Sequence, residues 1–124
     1  MVPAEAHEVA TRLPVVVHQR GLITVFEVSG ELDPWTAPAL CSRVSDAVEA
    51  GTPSLLVDLS ELQLCEQQGL RALAGAVHEA RLHQARISVL RPALPDVGRA
   101  FDAADPLQPL PVAADAEQAL RDLG

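Results

Sequence analysis

The chain has 124 residues and a formal net charge of −8, with 48% hydrophobic and 21% charged residues. This length suits one compact domain, and the composition is typical of a globular protein and not of a disordered chain. The nine basic residues are all arginines scattered along the sequence, so no basic stripe indicates binding to nucleic acid or to an anionic membrane. No apolar run approaches the ~20 residues that span a bilayer, and the N-terminal residues lack a signal-peptide core, so a cytoplasmic protein is expected.

The first part of the chain predicts a β-hairpin after a short lead-in. Residues 1–13 show weak periodicity and are expected to form a loose segment that precedes a single domain over residues 14–124. Residues 14–19 and 22–28 are rich in β-branched side chains, which favour strands. Gly21 lies between them and predicts a tight turn.

A helix is predicted next, with Asp33 as its N-cap and Pro34 at its first helical position. Apolar residues then recur at helical spacing, and Gly51 and Pro53 are expected to end the helix. The apolar stripe consists of Ala37, Leu40, Cys41, Val44, Ala47 and Val48. Trp35 is expected to pack on the first helical turn, and an exposed anchor for a partner protein is the alternative.

The middle of the chain predicts a buried strand and a second helix. Residues 54–59 are almost entirely apolar, which is typical of a strand buried on both faces. A loop over residues 60–65 and a helix over about residues 66–84 are expected to follow. Gly69 and Gly75 lie inside this helix, where each costs about 1 kcal/mol relative to alanine, so we expect both to permit close approach of neighbouring backbone.

The last part of the chain predicts a strand over residues 86–90, a short helix over residues 94–104 and a proline-rich edge strand near residues 110–112. Asp115 and Gln118 resemble a capping box that opens a final helix. The alternation of strands with helices predicts an α/β domain with right-handed crossovers.

Candidate catalytic and metal-binding groups form no recognisable constellation. The histidines lack the spacing of metal ligands; they are His7, His18, His78 and His83. Cys41 and Cys65 are far apart, lie in apolar stretches and are expected to be core residues, with a redox disulfide as the less favoured alternative. The sequence has no nucleophile elbow and no glycine-rich phosphate loop. We therefore expect no enzymatic activity, no metal and no cofactor.

The order of the predicted elements and four short segments resemble the STAS domain family over about residues 14–123. Residues 29–40, SGELDPWTAPAL, are similar to the GELD…TA…L segment of that family, and residues 55–60, LLVDLS, are similar to its VVDLS strand. Residues 87–92 and 107–112 lie where the family places its fourth and last strands. The resemblance implies one mixed β-sheet with helices packed mainly on one face.

The best-known bacterial members of this family are anti-sigma factor antagonists. They bind an anti-sigma factor, usually an ATP-binding serine kinase, which phosphorylates the first serine of a DSSG sequence at the start of the second helix. The phosphate adds nearly two negative charges to the contact surface and breaks the complex. The matching positions here are Glu66, Gln67, Gln68 and Gly69. Because the amide of Gln67 cannot form a phosphate ester, the resemblance implies partner binding without this switch.

The resemblance also implies which residues contact the partner. They are Glu31, Asp33, Ser60, Glu66, Gln67 and Gln68. For Asp33 and Ser60, a local hydrogen bond that caps a helix or holds a turn is the more favoured role. Glu66 is explained equally well as a capping residue beside the helix dipole, and the two glutamines as a solvated first helical turn. Asp58, which follows the buried strand, is expected to make a structural hydrogen bond.

Two other functions fit the same fold. A small STAS protein can be the accessory subunit of a lipid-transport ATPase, or a scaffold protomer of a larger signalling assembly, in which case the chain would form a homo-oligomer. The negative net charge favours a protein partner with basic contact patches, although solubility explains the acidity equally well.

Overall fold

The structure is a computed structural model that describes residues 11–104 and 109–124. Its strands and helices are β1 (Val15–Arg20), β2 (Ile23–Leu32), α1 (Ala37–Glu49), β3 (Ser54–Cys65), α2 (Gln67–Leu82), β4 (Arg86–Leu90), α3 (Pro95–Ala103), β5 (Val112–Ala113) and α4 (Ala116–Leu123). Most of the predicted lead-in, and part of the segment 107–112, lie outside the described residues. The domain boundary at residue 14 stays a prediction.

The five strands form one mixed sheet in the order β1-β2-β3-β4-β5. The first two strands are antiparallel, and Gly21 in the turn between them has a φ of +62°, which glycine adopts without steric cost. The remaining neighbours are parallel, as expected for strands joined through helices. The predicted hairpin and the mixed sheet are therefore confirmed.

The core lies on both faces of this sheet and is larger on one of them. Leu55 and Val57 of β3 point to the face that α1, α2 and α3 cover, whereas Leu56 points to the face that α4 covers. This alternation explains the continuous apolar run of β3, because a strand buried on both faces has no polar side. Three helices on one face and one on the other confirm the expected packing.

Two strands are longer than predicted. β2 continues to Leu32 and β3 to Cys65, so the predicted loop over residues 60–65 was wrong. The two strands stay paired through register shifts between Glu27 and Ser29 and between Gly30 and Glu31. Backbone pairing with β2 satisfies the polar groups of this segment, and its bulges break the simple alternation that a sequence pattern detects.

The first helix begins at Ala37 and not at Asp33, so the predicted N-cap and the helical position of Pro34 were wrong. Residues 33–36 instead form a turn that precedes the helix. Pro38 then occupies the second helical position, where the missing N–H of a proline costs nothing. The end of the helix at Glu49, before Gly51 with its φ of +85°, agrees with the prediction.

The C-terminal helix begins as predicted. The side chain of Asp115 accepts a hydrogen bond from the backbone N–H of Gln118 at 2.8 Å, and the Gln118 side chain accepts one from the N–H of Ala114 at 2.7 Å. This pair resembles a capping box, with the return bond made to the residue before the N-cap Asp115. None of the helices in the described ranges is long and apolar enough to cross a membrane.

The start of α2 lies directly against the segment that follows β2. The backbone N–H of Glu66 donates to the carbonyl oxygen of Leu32 at 2.9 Å. A Cβ atom on Gly69 would lie 2.8 Å from the backbone nitrogen and 2.9 Å from the Cα of Asp33. The predicted close approach is thus confirmed at Gly69. It was wrong at Gly75, which faces an open groove of about 760 Å³ between α1 and α2.

This difference between two glycines of one helix gives a matched test. Gly75→Ala is expected to raise the free energy of unfolding by about 0.5–1 kcal/mol, because alanine favours a helix and the methyl group has space. Gly69→Ala is expected to lower it by about 1–3 kcal/mol, because the methyl group forces the Asp33 backbone away. Urea unfolding followed by circular dichroism measures both, and equal effects of the two substitutions would contradict the close contact.

Candidate functional site

The two segments that resemble family motifs meet where β2 and β3 end. Glu31 is paired in register with Leu64, and Leu32 with Cys65, so both strands arrive at the same edge of the sheet. Gly69 then holds the first turn of α2 against Asp33. We call residues 31–36 and 64–69 the sheet-end surface.

Five of the six predicted contact residues belong to this surface, and the sixth does not. Ser60 lies five residues before the end of β3, which corresponds to roughly 15 Å along a strand. Its carbonyl oxygen accepts a hydrogen bond from the N–H of Ala93, and its own N–H donates to the Asp58 carboxylate at 2.9 Å. The structural hydrogen bond expected of Asp58 is confirmed, and Ser60 belongs with the loop that follows β4.

The side chain of Asp33 organises the turn over residues 33–36. It is 4% exposed, and its Oδ1 accepts hydrogen bonds from the backbone N–H groups of Trp35 and Thr36, both at 2.9 Å. The buried hydroxyl of Thr36 donates to the carbonyl oxygen of Glu31 at 2.7 Å and accepts from the N–H of Asp33 at 3.0 Å. Each of these bonds joins two parts of the turn, so the turn is held as a rigid unit.

Asp33 and Glu31 share a counter-ion that the sequence did not reveal. The Arg12 guanidinium forms an ion pair with Asp33 and another with Glu31, the latter at 3.2 Å between Nε and Oε2. The backbone of Arg12 crosses directly over Gly30, which has a φ of +83° and no space for a Cβ atom. No periodicity or short motif links Arg12 to residues about twenty positions later, so only the fold could identify it.

The charge of Asp33 is stabilised in place. Burial alone raises the pKa of the Asp33 carboxyl, but the hydrogen bonds from Thr36 and Trp35 and the charge of Arg12 together outweigh burial and lower that pKa below its ordinary value of 3.8. The hydrogen bond to Glu31 is the largest contribution that raises the pKa of Arg12. The favoured local role of Asp33 therefore exists, although the carboxylate caps the turn before α1 and not the helix itself.

The first turn of α2 presents three exposed polar side chains: Glu66, Gln67 and Gln68. Glu66 occupies the N-cap position with extended backbone, at φ −98° and ψ 147°, but its side chain makes no capping hydrogen bond. Glu66 therefore lies at the start of the helix, beside the positive end of the helix dipole, but the capping explanation fails in that its side chain makes no capping bond. All three side chains are free to meet another molecule.

Trp35 is 76% exposed, so the expected packing on the first helical turn was wrong. The reason is that α1 begins two residues later and that Asp33 and Thr36 are the turn residues that point inward. Leu64, on the neighbouring strand end, is 37% exposed. The exposure of Trp35 agrees with the alternative, in which this side chain is available to a partner, and Leu64 is an apolar side chain that sequence reasoning did not assign to the surface.

The cysteines are free thiols, so the disulfide alternative is not realised. Cys41 donates a hydrogen bond through its Sγ to the carbonyl oxygen of Ala72 at 3.3 Å. Cys65 belongs to the larger core, and burial raises the pKa of its thiol to about 11. In residues 11–104 and 109–124, no three or more His, Cys, Asp or Glu side chains are grouped so that they could hold a metal ion.

The buried carboxylate of Asp33 predicts that the free energy of unfolding depends on pH. Because the pKa of Asp33 is lowered in the folded state, its contribution is complete above the ordinary value of 3.8 and is lost as the pH falls through the lowered folded-state value. Asp33→Asn is therefore expected to cost about 1–3 kcal/mol at pH 7, and the difference from the wild type should vanish in strong acid. Urea unfolding between pH 7 and pH 2 measures this difference in the free energy of unfolding.

The control is Glu31→Gln, which removes the more exposed of the two carboxylates that pair with Arg12 and should cost less than about 1 kcal/mol. A loss in Asp33→Asn that is constant across this pH range would contradict the assignment.

Comparisons with known proteins identify the fold and the family. The family model described as Mlab, STAS domain, matches residues 16–105. An anti-sigma factor antagonist from Mycobacterium paratuberculosis is similar in structure, with a TM-score of 0.69 and 22% identity over 99% of this chain and 98% of that chain. A putative anti-sigma factor antagonist from Thermotoga maritima has a TM-score of 0.66 and 11% identity over 88% and 93% of the two chains.

The unphosphorylated anti-sigma factor antagonist SpoIIAA has a TM-score of 0.59 and 17% identity over 87% of this chain and 94% of that chain. At these identities, the solved structures establish the fold alone. No curated protein matches the sequence. The family model, however, covers most of the chain. The chain therefore belongs to the STAS domain family.

Proposed function

We propose that this STAS domain is a regulatory binding module that sequesters an anti-sigma factor through the sheet-end surface and performs no catalysis. The observation that carries the proposal is the contact of Gly69 with the backbone of Asp33. This contact joins the turn after β2 and the first turn of α2 into one continuous surface. The solved structures named anti-sigma factor antagonists share the fold, which supports the choice of partner.

The charge of the surface supports a partner with basic contact groups. Glu66 is exposed and has no capping bond, and the Glu31 side chain is 45% exposed. Complementary charge across an interface accelerates association and excludes partners of the wrong charge. The net charge of −8 acts in the same direction at longer range. In this proposal the protein acts in the cytoplasm, as the sequence predicts.

The control of the complex would differ from that of the DSSG proteins. Gln67 is exposed at the position of their phosphoserine, and its amide accepts no phosphoryl group. Because Gln67 is neutral, it resembles an unphosphorylated serine in charge. The complex would therefore persist in the presence of ATP, and its amount would be set by synthesis, assembly or modification elsewhere.

A second candidate function is the accessory subunit of a lipid-transport ATPase. The same residue, Gln67, favours it, because a partner that is not a serine kinase needs no phosphate acceptor. Affinity capture from the native lysate distinguishes the two. Recovery of transporter subunits would select the accessory subunit, and recovery of other STAS proteins alone would select a scaffold protomer.

The absent phosphate acceptor leads to a gain-of-function test. The wild type is expected to bind a purified anti-sigma kinase of the source genome equally well with and without MgATP. Gln67→Ser restores a hydroxyl at the exposed first turn, so incubation with MgATP should add one phosphate and weaken binding by about tenfold or more. Intact-mass spectrometry and calorimetric titration measure these effects. Phosphorylation of the wild type with loss of binding would contradict the proposal.

A charge reversal tests the position of the surface. Glu66→Arg is expected to weaken binding to the same kinase by about tenfold, because it places a positive charge opposite basic partner groups. Glu79→Arg makes the same change at an exposed position near the other end of α2 and should leave the affinity unchanged. Equal affinities of the two variants would move the contact surface away from the start of α2.

A further inference from the structure

Trp35 is the single tryptophan of the chain, and the chain has no tyrosine. Its side chain is 76% exposed, although the larger core lies directly beneath the neighbouring Thr36 and Ala37, which are fully buried. A large apolar side chain that stays in water forgoes the stabilisation that burial would give. Exposed tryptophans of this kind are enriched at the centres of protein interfaces.

The turn holds Trp35 in a defined position. The Asp33 carboxylate accepts hydrogen bonds from the N–H groups of Trp35 and Thr36, and the ring of Pro34, the residue before Trp35, fixes its own φ angle. The Thr36 hydroxyl bonds to the backbone at both ends of the same turn. A side chain on so rigid a backbone loses little conformational freedom when it binds, so more of its burial energy contributes to affinity.

The neighbours of Trp35 on the sheet-end surface specify the chemistry of the opposing surface. Leu64 exposes part of its side chain at the end of β3, in register with Glu31. Glu66 supplies exposed negative charge at the start of α2, and Glu31, at the end of β2, shares the single positive charge of Arg12 with Asp33, so the surface remains acidic. An apolar centre with an acidic rim fits a partner pocket that is apolar inside and bordered by arginine or lysine.

We propose that Trp35 is the anchor of the sheet-end surface: its indole inserts into an apolar pocket of the anti-sigma factor that is bordered by basic side chains. This inference rests on the proposed function and names the residue that dominates affinity. Trp35 lies between the GELD and TA segments, at a position that the family pattern leaves unspecified, so it would also distinguish the partner of this protein from the partners of related chains.

The fluorescence of Trp35 itself reports on binding in the test. Because the chain has one tryptophan and no tyrosine, selective excitation reads this single side chain, provided that the partner's signal is subtracted. The probe is each purified anti-sigma kinase of the source genome, titrated into the intact protein. Binding is expected to shift the Trp35 emission to shorter wavelength, because the indole leaves water for an apolar pocket.

The matched variants are Trp35→Ala and Leu22→Ala. Trp35→Ala should weaken the complex by about 30-fold or more, the range of interface hot spots, and Trp35→Phe should give an intermediate loss. Leu22 is 79% exposed but lies before the start of β2, at the opposite end of that strand, so Leu22→Ala should leave the affinity unchanged. Calorimetric titration measures the affinities, and the unfolding free energy of each variant shows that the fold is intact.

The outcomes separate this inference from the proposed function. If the wild type binds a kinase and Trp35→Ala binds it equally well, the anchor is overturned and the proposed function stands. If the wild type binds none of the kinases, both are overturned. An emission shift that depends only on the concentration of this protein would overturn the anchor as well, because the indole would then be buried between two copies of the chain.

Discussion

The contact between Gly69 and the backbone of Asp33 is the constraint on which the sheet-end surface depends. Any side chain at position 69 would place its Cβ atom within 3.0 Å of three backbone atoms of Asp33. The helix start and the turn can therefore be adjacent only while residue 69 has no Cβ atom. The N–H of Glu66 bonded to the carbonyl oxygen of Leu32 adds a second tie between the same two segments. Two stretches of sequence more than thirty residues apart become one surface through these contacts.

Within that surface, the buried side chains hold the backbone, and the exposed side chains are available for contact with another molecule. Asp33 and Thr36 are hidden from solvent, and their polar atoms are used to hold the turn. The side chains of Trp35, Gln67 and Gln68, in contrast, are exposed to solvent. The buried Asp33 of the GELD segment thus stabilises the turn, and in the proposed function recognition would depend on the exposed side chains that the turn positions. Arg12 extends this support to the chain that precedes β1.

Gln67 bears on the kind of regulation that the proposed contact surface would have. A phosphoserine adds close to two negative charges at the start of a helix, an effect far larger than that of any neutral side chain at the same place. If Gln67 takes that position in the proposed contact, charge would not switch the surface, and its affinity would depend on shape and on fixed charges. A rigidly held indole suits such a surface, because its contribution does not vary with the presence of ATP.

Local patterns were sufficient for the order of the strands and helices, for the β1–β2 hairpin and for the buried strand β3. The β-branched runs, the glycine turn and the continuous apolar stretch each report on a few neighbouring residues, and burial follows directly from them. Five of the six residues that the family motifs indicated lie together at the end of β2 and β3, and their contact with a partner stays a prediction. The start of α1, the length of β3, the exposure of Trp35 and the ion pairs of Arg12 depend instead on partners far away in the chain. Only the tertiary structure decides these features, because no local sequence pattern predicts them. They arise from bulged strand pairing, from a turn stabilised by a buried carboxylate and from a counter-ion that precedes β1.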